Sequence, residues 1–468
     1  MNRKLADLRN SLEGELYYDD TMRKLYATDA SAYREMPQAV AIPKNDTDIK
    51  ILIEFANNNQ TSLIPRTAGT SLAGQVVGSG IVVDVSKFFN QILEVNEKEN
   101  WVRVQPGVIR DDLNRHLNSY GMYFGPETST ANRAMIGGMV GNNSCGSNSM
   151  VYGSTRDHLL EIKGYLSDGS YASFGYLSDQ EYKDALNSES TIQAGIYSSI
   201  NEILSNPVNR ENIKKEFPKP SIDRRNTGYA IDLLAINKPF NQNGSDFNFC
   251  KLIAGSEGTL MFITEIKINT IPLPPKNKAL VCIHCKDVNE SLIANLVGLK
   301  YEPHASELID HYVLECTKQN IEQQKNRFFI QGDPGAILVV ELAAENDEEL
   351  NAKCLDLINE LKAEKLGYHY PVLKGDDLGK IWELRKAGLG LLANIPGDAK
   401  AAPVIEDTAV DVQDLPQYII DFNKILDKHN LKCVHYAHAG SGEIHLRPII
   451  NLKTKEGHQQ YRTIATEI

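Results

Sequence analysis

Between residues 125 and 153 the chain consists mostly of small and polar residues: Gly125-Pro126-Glu127-Thr128-Ser129-Thr130, then Ile136-Gly137-Gly138-Met139-Val140-Gly141-Asn142-Asn143-Ser144-Cys145-Gly146-Ser147. A packed core cannot be built from such a stretch. Ordering that much Gly, Ser and Asn costs chain entropy, which a ligand or close backbone contact must offset. A flexible linker is the plain alternative. Apolar segments on both sides and the Asn142-Asn143 pair argue instead for a stretch held inside a folded domain.

A second small-residue stretch, Pro65-Arg66-Thr67-Ala68-Gly69-Thr70-Ser71-Leu72-Ala73-Gly74-Gln75, follows the apolar Ser62-Leu63-Ile64-Pro65 and precedes Ile81-Val82-Val83-Asp84-Val85. Both neighbours read as strands. Backbone N–H groups of such a loop can point inward as an anion-binding nest, with Thr67, Thr70 and Ser71 adding hydroxyl donors. An ordinary Gly-rich turn remains open at this point.

Around it, Ala39–Pro43 reads as a strand and an Asp46-capped segment through Asn57 as a helix. Trp101–Gln105 reads as a strand, and Ile109–Tyr120 as a helix opening near Pro106-Gly107. Residues 159–172 and 251–271 supply further strands, the second with a Gly-rich bend at its centre, and Pro272-Leu273-Pro274-Pro275 marks a boundary. Beyond it come strands at 279–284, 335–342, 404–412 and 433–437 and helices at 288–298 and 346–365, an order that suggests an antiparallel sheet. The expected class is α+β. The expected division is an N-terminal helical extension over 1–35, one domain over 36–275 and another over 276–468.

Composition narrows the partners. A formal charge of −12 over 468 residues argues against broad nucleic-acid or anionic-membrane binding. No run approaches the roughly 18 apolar residues of a membrane span. The N-terminus turns acidic before any signal-like apolar core. Seven scattered cysteines suit a reducing cytosol. Cys282-Ile283-His284-Cys285 resembles a metal or redox motif, but its two thiols should face opposite sides of a strand.

The 65–75 loop, Pro106-Gly107-Val108, the 125–146 tract and Ile253–Glu265 stand in a fixed order, joined by Tyr152-Gly153, Asp157-His158 and Asp168-Gly169. Together they resemble the vanillyl-alcohol oxidase and p-cresol methylhydroxylase superfamily of FAD proteins over roughly residues 36–275. The resemblance implies a two-subdomain FAD-binding domain followed by an α+β cap domain with an antiparallel sheet. It implies diphosphate contacts at Arg66, Thr67, Ala68, Gly69, Thr70 and Ser71, with Gly74 and Gln75 alongside. Contacts along the cofactor would come from Pro126, Thr128, Ser129, Gly137, Gly138, Asn142, Asn143, Ser144, Gly146 and Gly153. Glu257, Gly258 and Ile263 would lie near the adenosine and ribose. Some members attach FAD through a His of the first loop. Thr70 holds that position here, so noncovalent FAD is expected.

Tyr436-Ala437-His438-Ala439-Gly440-Ser441-Gly442-Glu443-Ile444-His445-Leu446-Arg447-Pro448 resembles the H-x-G-D-G-N-x-H signature of flavin-dependent 2-hydroxy-acid dehydrogenases, which include enzymes for D-lactate, glycolate and D-2-hydroxyglutarate. Ser441 replaces Asp and Glu443 replaces Asn. Residues seven apart on a strand face opposite ways, but a Gly440-Ser441-Gly442 turn can fold His438 and His445 together. Two such imidazoles can share a metal; a hydrogen-bonded structural pair is the alternative. The resemblance implies that both ligate Zn or a similar divalent ion, completed by a Glu from a later Glu-His motif. It also implies that Arg385 binds the substrate carboxylate, against the alternative of an exposed helix arginine. Glu406-Asp407-Thr408-Ala409-Val410 resembles a segment beside the active site, without a basic substrate contact found in some members.

The chain ends within an apparent helix, Tyr461–Ile468, with no cap or breaker. Its His-Ala-Gly-x-Gly-Glu-x-His-x-Arg-Pro wording is similar to long bacterial proteins that fuse a flavin half to an iron–sulfur half. A fragment is therefore expected, with the third metal ligand, the base and any iron–sulfur cluster beyond Ile468. The expected activity is FAD-dependent oxidation of a small D-2-hydroxy acid to the 2-oxo acid, with electrons passed to an iron–sulfur or quinone acceptor. The expected setting is cytoplasmic, with attachment to the inner face of a membrane and a homo-oligomer both left open. Two other readings stand beside it: an oxygen-using alcohol or sugar oxidase of the same fold, and a noncatalytic flavin electron-transfer subunit.

Overall fold

The computed structural model describes the chain apart from Met1, Glu189, Ser190, Asp223, Asn226, Thr227, Gln319, Glu406 and Asp407, and apart from the side chains of Asn2 and Leu389. It resolves into two compact units. The first comprises residues 1–145, 154–217 and 226–273, the second residues 146–153, 218–225 and 274–468.

The first unit holds two sheets. In the smaller, β1 (Glu15–Tyr17), β2 (Ala39–Ile42), β3 (Leu63–Arg66) and β4 (Ile81–Asp84) lie in the order β1-β2-β4-β3. Strands β2 and β3 run parallel to β4, and β1 closes the edge antiparallel to β2. The crossover helix α1 (Asp46–Asn59) is capped by Asn45, whose side chain accepts from the Asp48 N–H; Asp46, expected as the cap, occupies the first turn. Leu5, Leu8 and Leu16 pack into the same core as Ala41, Ile49, Leu52 and Val83. The loop from Thr67 leaves the carboxyl end of β3, which is where parallel α/β sheets present their ligand-binding crevices.

The larger sheet is antiparallel. It is formed by β5 (Ile92–Asn96), β6 (Trp101–Val104), β7 (Leu159–Tyr165), β8 (Tyr171–Leu177), β9 (Phe247–Asn248) and β10 (Phe262–Asn269), in the order β9-β8-β7-β10-β6-β5. The strand expected across 251–271 begins only at Phe262; Cys250–Ile253 is a helical turn. The reason is local, since Gly255, Glu257 and Gly258 all take positive φ, which a ladder does not accommodate.

The second unit is built on one seven-stranded antiparallel sheet. Its strands are β11 (Lys278–Cys285), β12 (Ala305–Asp310), β13 (Ala336–Ala343), β14 (Val372–Lys374), β15 (Lys400–Ala401), β16 (Cys433–Ala437) and β17 (His445–Ile450), ordered β14-β11-β13-β12-β16-β17-β15. Side chains alternate between two apolar layers. Val281, Ile283 and Leu308 join one layer; Leu280, Ile309 and Tyr436 join the other with Ile381 and Leu384 of the helix Asp377–Leu391. Cys282 and Cys285 fall in opposite layers, as their spacing predicts, and both are free. Residues 404–412, expected as a strand, contribute isolated bridges at Ile405 and Ala409 among the described residues. Among those residues, no helix is long and apolar enough to cross a membrane.

Candidate functional site

In the first unit, three of the small-residue tracts converge. Glycine at 138 lets the 137–144 tract approach the first loop: a Cβ there would lie 2.7 Å from Thr67 Oγ1. Gln75 Nε2 donates to Asn142 Oδ1 at 2.9 Å and to Glu257 Oε1 at 3.2 Å, so one amide ties all three tracts together. Backbone bonds from Gly255 N to Val140 O and from Glu257 N to Gly141 O, both 2.9 Å, fasten the second tract to the third. Gly258 packs against the Pro65 ring, where a Cβ would sit 3.2 Å from Cγ.

The first loop turns on two left-handed glycines. Gly69 and Gly74 adopt φ of 65° and 76°. Among the described residues, the backbone N–H groups of residues 68–74 donate to no other group of the protein. Half-buried unpaired donors on a left-handed glycine loop fit the diphosphate of a dinucleotide cofactor. Some side chains of the loop are engaged elsewhere. Ser71 Oγ donates to Asp29 Oδ2 at 2.6 Å, and Arg66 Nη1 donates to the Thr28 carbonyl at 2.9 Å while lying over the Tyr26 ring.

The remaining cofactor candidates are placed as follows. The Pro126 carbonyl accepts from Arg110 Nε at 3.0 Å, and the Thr128 and Thr130 hydroxyls pair at 3.3 Å. Ser129 is exposed. Gly137 N donates to the Pro106 carbonyl at 2.8 Å. Asn143 is buried at φ 53°, its Oδ1 accepting from Arg156 N at 2.9 Å, and the Ser144 carbonyl accepts from Thr155 Oγ1 at 2.7 Å. Ile263 lies on β10 opposite Gly164. Gly146 and Gly153 bound the short segment that belongs to the second unit.

In the second unit a polar group is enclosed on the face of the sheet covered by Ile381 and Leu384. Glu307, two residues before Ile309 on β12, is 1 % exposed. Its Oε2 accepts from Arg385 Nε at 2.8 Å and lies 2.6 Å from Nη2 as an ion pair, and its Oε1 lies 2.8 Å from His438 Nδ1. Arg385 and His438 are each 9 % exposed, so Arg385 is not the surface helix residue of the alternative reading. Tyr436 pairs across the ladder with His445, and the rings of His438 and His445 stand 5.1 Å apart edge to face. Beside them, Arg224 Nε meets Glu443 Oε2 at 3.1 Å and Nη1 donates to Ser441 Oγ at 3.3 Å.

The electrostatics follow from burial. Desolvation, with the Arg224 charge second, pushes His438 down to about 3, so its imidazole is neutral at ordinary pH. Burial alone would raise the Glu307 carboxyl, yet Arg385 and His438 hold it well below the usual carboxylate range. His435 is also buried and pushed down to about 4; its Nε2 meets Asn423 Oδ1 at 3.0 Å, away from the Arg385 group.

The turn between the two histidines is held from several sides. Asn295 Nδ2 donates to the Ala439 carbonyl at 3.0 Å and its Oδ1 accepts from Ser306 Oγ at 2.6 Å, both polar groups being buried. Ala437 takes φ 91°, a strained value for a residue with a Cβ, directly before His438. Gly440 packs against Met150 and Ser306. The two imidazoles supply nitrogen donors of the kind a divalent ion takes. Among the described residues, the cluster of three metal-competent side chains lies elsewhere, at His311, Glu315 and Asp333, where Lys318 pairs with both carboxylates. The segment beginning Glu406-Asp407 lies outside the described residues at those two positions.

Glu307, Arg224, Glu443 as an ion-pair partner, and Asn295 were missed in the sequence as members of this group. Glu307 sits in Ala305-Ser306-Glu307-Leu308-Ile309-Asp310, and a carboxylate in the middle of such an apolar strand was the available signal.

The family described as FAD binding domain matches residues 37–175, and that described as FAD linked oxidases, C-terminal domain, matches residues 274–468. A solved structure of p-cresol methylhydroxylase with substrate bound superposes on the whole chain and 86 % of its own with a TM-score of 0.67 at 10 % identity, a likeness of fold. The chain therefore belongs to the flavoproteins that join an FAD binding domain to the C-terminal domain of FAD linked oxidases. It is 32 % identical to the D-2-hydroxyglutarate dehydrogenase of Haemophilus influenzae over 99 % of this chain and 46 % of that protein. It is 22 % identical to the glycolate oxidase subunit GlcD of Bacillus subtilis over 98 % of this chain and 83 % of that protein. The chain thus spans less than half the length of the D-2-hydroxyglutarate dehydrogenases it matches.

Proposed function

We propose that this chain is the flavin-bearing part of a dehydrogenase that oxidises a small D-2-hydroxy acid to the 2-oxo acid, with D-2-hydroxyglutarate the first substrate to test. The names of the relatives at 32–34 % identity support the substrate class. The observation that carries the chemistry is the buried Arg385–Glu307–His438 array, which joins an anion-binding fork to a neutral imidazole.

In this reading the domain over 36–275 holds noncovalent FAD. Arg66 to Ser71, Gly74 and Gln75 lie at the diphosphate; Pro126, Thr128, Ser129, Gly137, Gly138, Asn142 to Ser144, Gly146 and Gly153 lie along the cofactor; Glu257, Gly258 and Ile263 lie at the adenosine side. When bound, FAD supplies the acceptor for the hydride from the substrate α-carbon. The chain's own residues, in the domain over 276–468, do the rest. The Arg385 guanidinium pairs with the substrate carboxylate and fixes its orientation. His438 and His445 polarise the substrate hydroxyl, alone or while holding Zn or a similar divalent ion, so that a base can take its proton. Electrons leave to an iron–sulfur or quinone acceptor, in a cytoplasmic setting or at the inner face of a membrane.

The test is steady-state reduction of a dye acceptor with D-2-hydroxyglutarate, D-lactate and glycolate, beside the rate at which dithionite-reduced protein reoxidises in air. The proposal expects turnover with at least one D-2-hydroxy acid and slow reoxidation relieved by the dye. Rapid reoxidation by oxygen would favour the oxidase reading, and no turnover with any hydroxy acid would favour a noncatalytic flavin subunit.

A further inference from the structure

Glu307 lies on an interior strand of the sheet, is 1 % exposed, and touches both residues that the proposed chemistry requires. Its two oxygens are divided between them: Oε2 takes both contacts from Arg385, at 2.8 and 2.6 Å, and Oε1 faces His438 Nδ1 at 2.8 Å. An arginine is always a donor, and a carboxylate paired to it has no proton to give. The hydrogen on the short Oε1–Nδ1 contact must therefore sit on His438 Nδ1. In a neutral imidazole that leaves Nε2 with its lone pair.

We propose that Glu307 is a positioning residue: one buried carboxylate locks His438 in the Nδ1–H tautomer, presenting Nε2 as the acceptor or ligand nitrogen, and fixes the Arg385 fork in register with it. The consequence is mechanical as well as electronic. The group that holds the substrate carboxylate and the imidazole that meets the substrate hydroxyl, directly or through a metal, are pinned to one side chain, so their separation is set before substrate arrives. Carboxylates that orient a histidine from behind in this way commonly change activity or metal affinity 10–100-fold when removed. The other supports of His438 do not duplicate the role, because the hydrogen bonds of Asn295 and Ser306 hold the backbone at Ala439 and not the imidazole. The inference rests on the reading that Arg385 and His438 serve a hydroxy acid.

The test separates the two. Histidine-labelled protein carrying FAD is examined by nitrogen-15 NMR, with His438 assigned by its disappearance in His438→Gln. The wild type is expected to show a protonated Nδ1 and an unprotonated Nε2. In Glu307→Gln the amide has one oxygen and one NH2 to present; the oxygen goes to the charged Arg385 and the NH2 faces Nδ1, so the tautomer inverts to Nε2–H. Glu307→Asp keeps the charge and restores Nδ1–H. Anaerobic flavin reduction by D-2-hydroxyglutarate is expected to slow 10–100-fold in Glu307→Gln, chiefly in the limiting rate at saturating substrate.

An Nε2–H tautomer in the wild type overturns the proposal whether or not the variants fold. An unchanged tautomer in Glu307→Gln overturns it too, since a merely structural ion pair would lower the melting temperature without moving the proton. If no hydroxy acid reduces the wild-type flavin, the functional reading fails while the tautomer result stands or falls separately.

Discussion

Gly442, in the turn between His438 and His445, is predicted to resist even a single methyl group. Two effects add there. Its φ of 73° costs an L-residue roughly 1–2 kcal/mol. A Cβ would also run into the Val410 carbonyl oxygen and lie 3.3 Å from Val412 N, and both are backbone atoms that cannot swing aside. Displacing them strains the 2.9 Å bond from Val410 N to the Gly442 carbonyl, and such overpacking adds about 1–3 kcal/mol. Gly442→Ala should therefore cost about 2–5 kcal/mol. Gly375 provides the control within the same unit: it has a φ of 60° and nothing within 4 Å of an added Cβ, so Gly375→Ala meets only the backbone term. At roughly 2–4 °C per kcal/mol for a domain of this size, calorimetry should show the Gly442 variant melting several degrees below the Gly375 variant. Asparagine, which tolerates left-handed φ, should rescue position 375 and leave 442 impaired. Equal melting shifts at the two positions would refute the argument that space, beyond φ, demands glycine at 442.

Other outcomes follow from the same geometry. Gly138→Ala places a methyl 2.7 Å from Thr67 Oγ1, so the two cofactor tracts must part; FAD affinity measured by fluorescence titration should fall by about tenfold or more, and an unchanged affinity would remove Gly138 from the cradle. On the proposal that FAD is held noncovalently, with Thr70 in place of a flavin-linking histidine, heat or acid denaturation should release all flavin into the supernatant, and flavin retained on the precipitated chain would contradict this. His284, donating from Nδ1 to the Cys282 carbonyl and accepting from Gln331 N, is pushed by burial down to about 4. Its folded pKa lies below its unfolded value, so the unfolded state gains the proton first. Its contribution is complete above about pH 6.5 and is lost as pH falls toward 4. His284→Gln should flatten that acid-side loss in urea unfolding by a few kcal/mol, and an identical pH slope in the variant would count against it.

The convergence of the small-residue tracts was largely legible in the sequence because the demands that shape them are local. Gly69, Gly74, Gly138 and Gly258 are needed where backbone must turn left or approach closely, and such demands leave glycine at fixed places in the chain. Strand boundaries were less legible where the same requirement interrupts an apolar run: the Gly-rich bend within 251–271 was visible, but Gly255, Glu257 and Gly258 at positive φ hold the strand back until Phe262. The buried array of the second unit was only partly visible. His438 and His445 announced themselves by motif, and Arg385 by resemblance, but Glu307 sits 78 positions before Arg385 and 131 before His438. Its meaning arises only when Ile309 and Tyr436 pair and bring β12 beside β16, a long-range register that no local pattern encodes. Arg224 and Glu443 were hidden for the same reason, as partners separated by more than two hundred residues.

We propose that this flavoprotein takes its electrons from a D-2-hydroxy acid through Arg385 and His438. Anaerobic mixing of the FAD-loaded protein with D-2-hydroxyglutarate, followed by flavin absorbance, tests it most directly. The account predicts bleaching in the wild type. In Arg385→Met, losing the charge-assisted pair to the substrate carboxylate at roughly 1.5–3 kcal/mol per bond should reduce the apparent second-order rate at least tenfold, with FAD still bound. A wild-type flavin that stays oxidised with every D-2-hydroxy acid, or an Arg385→Met protein that bleaches at the wild-type rate, would contradict it.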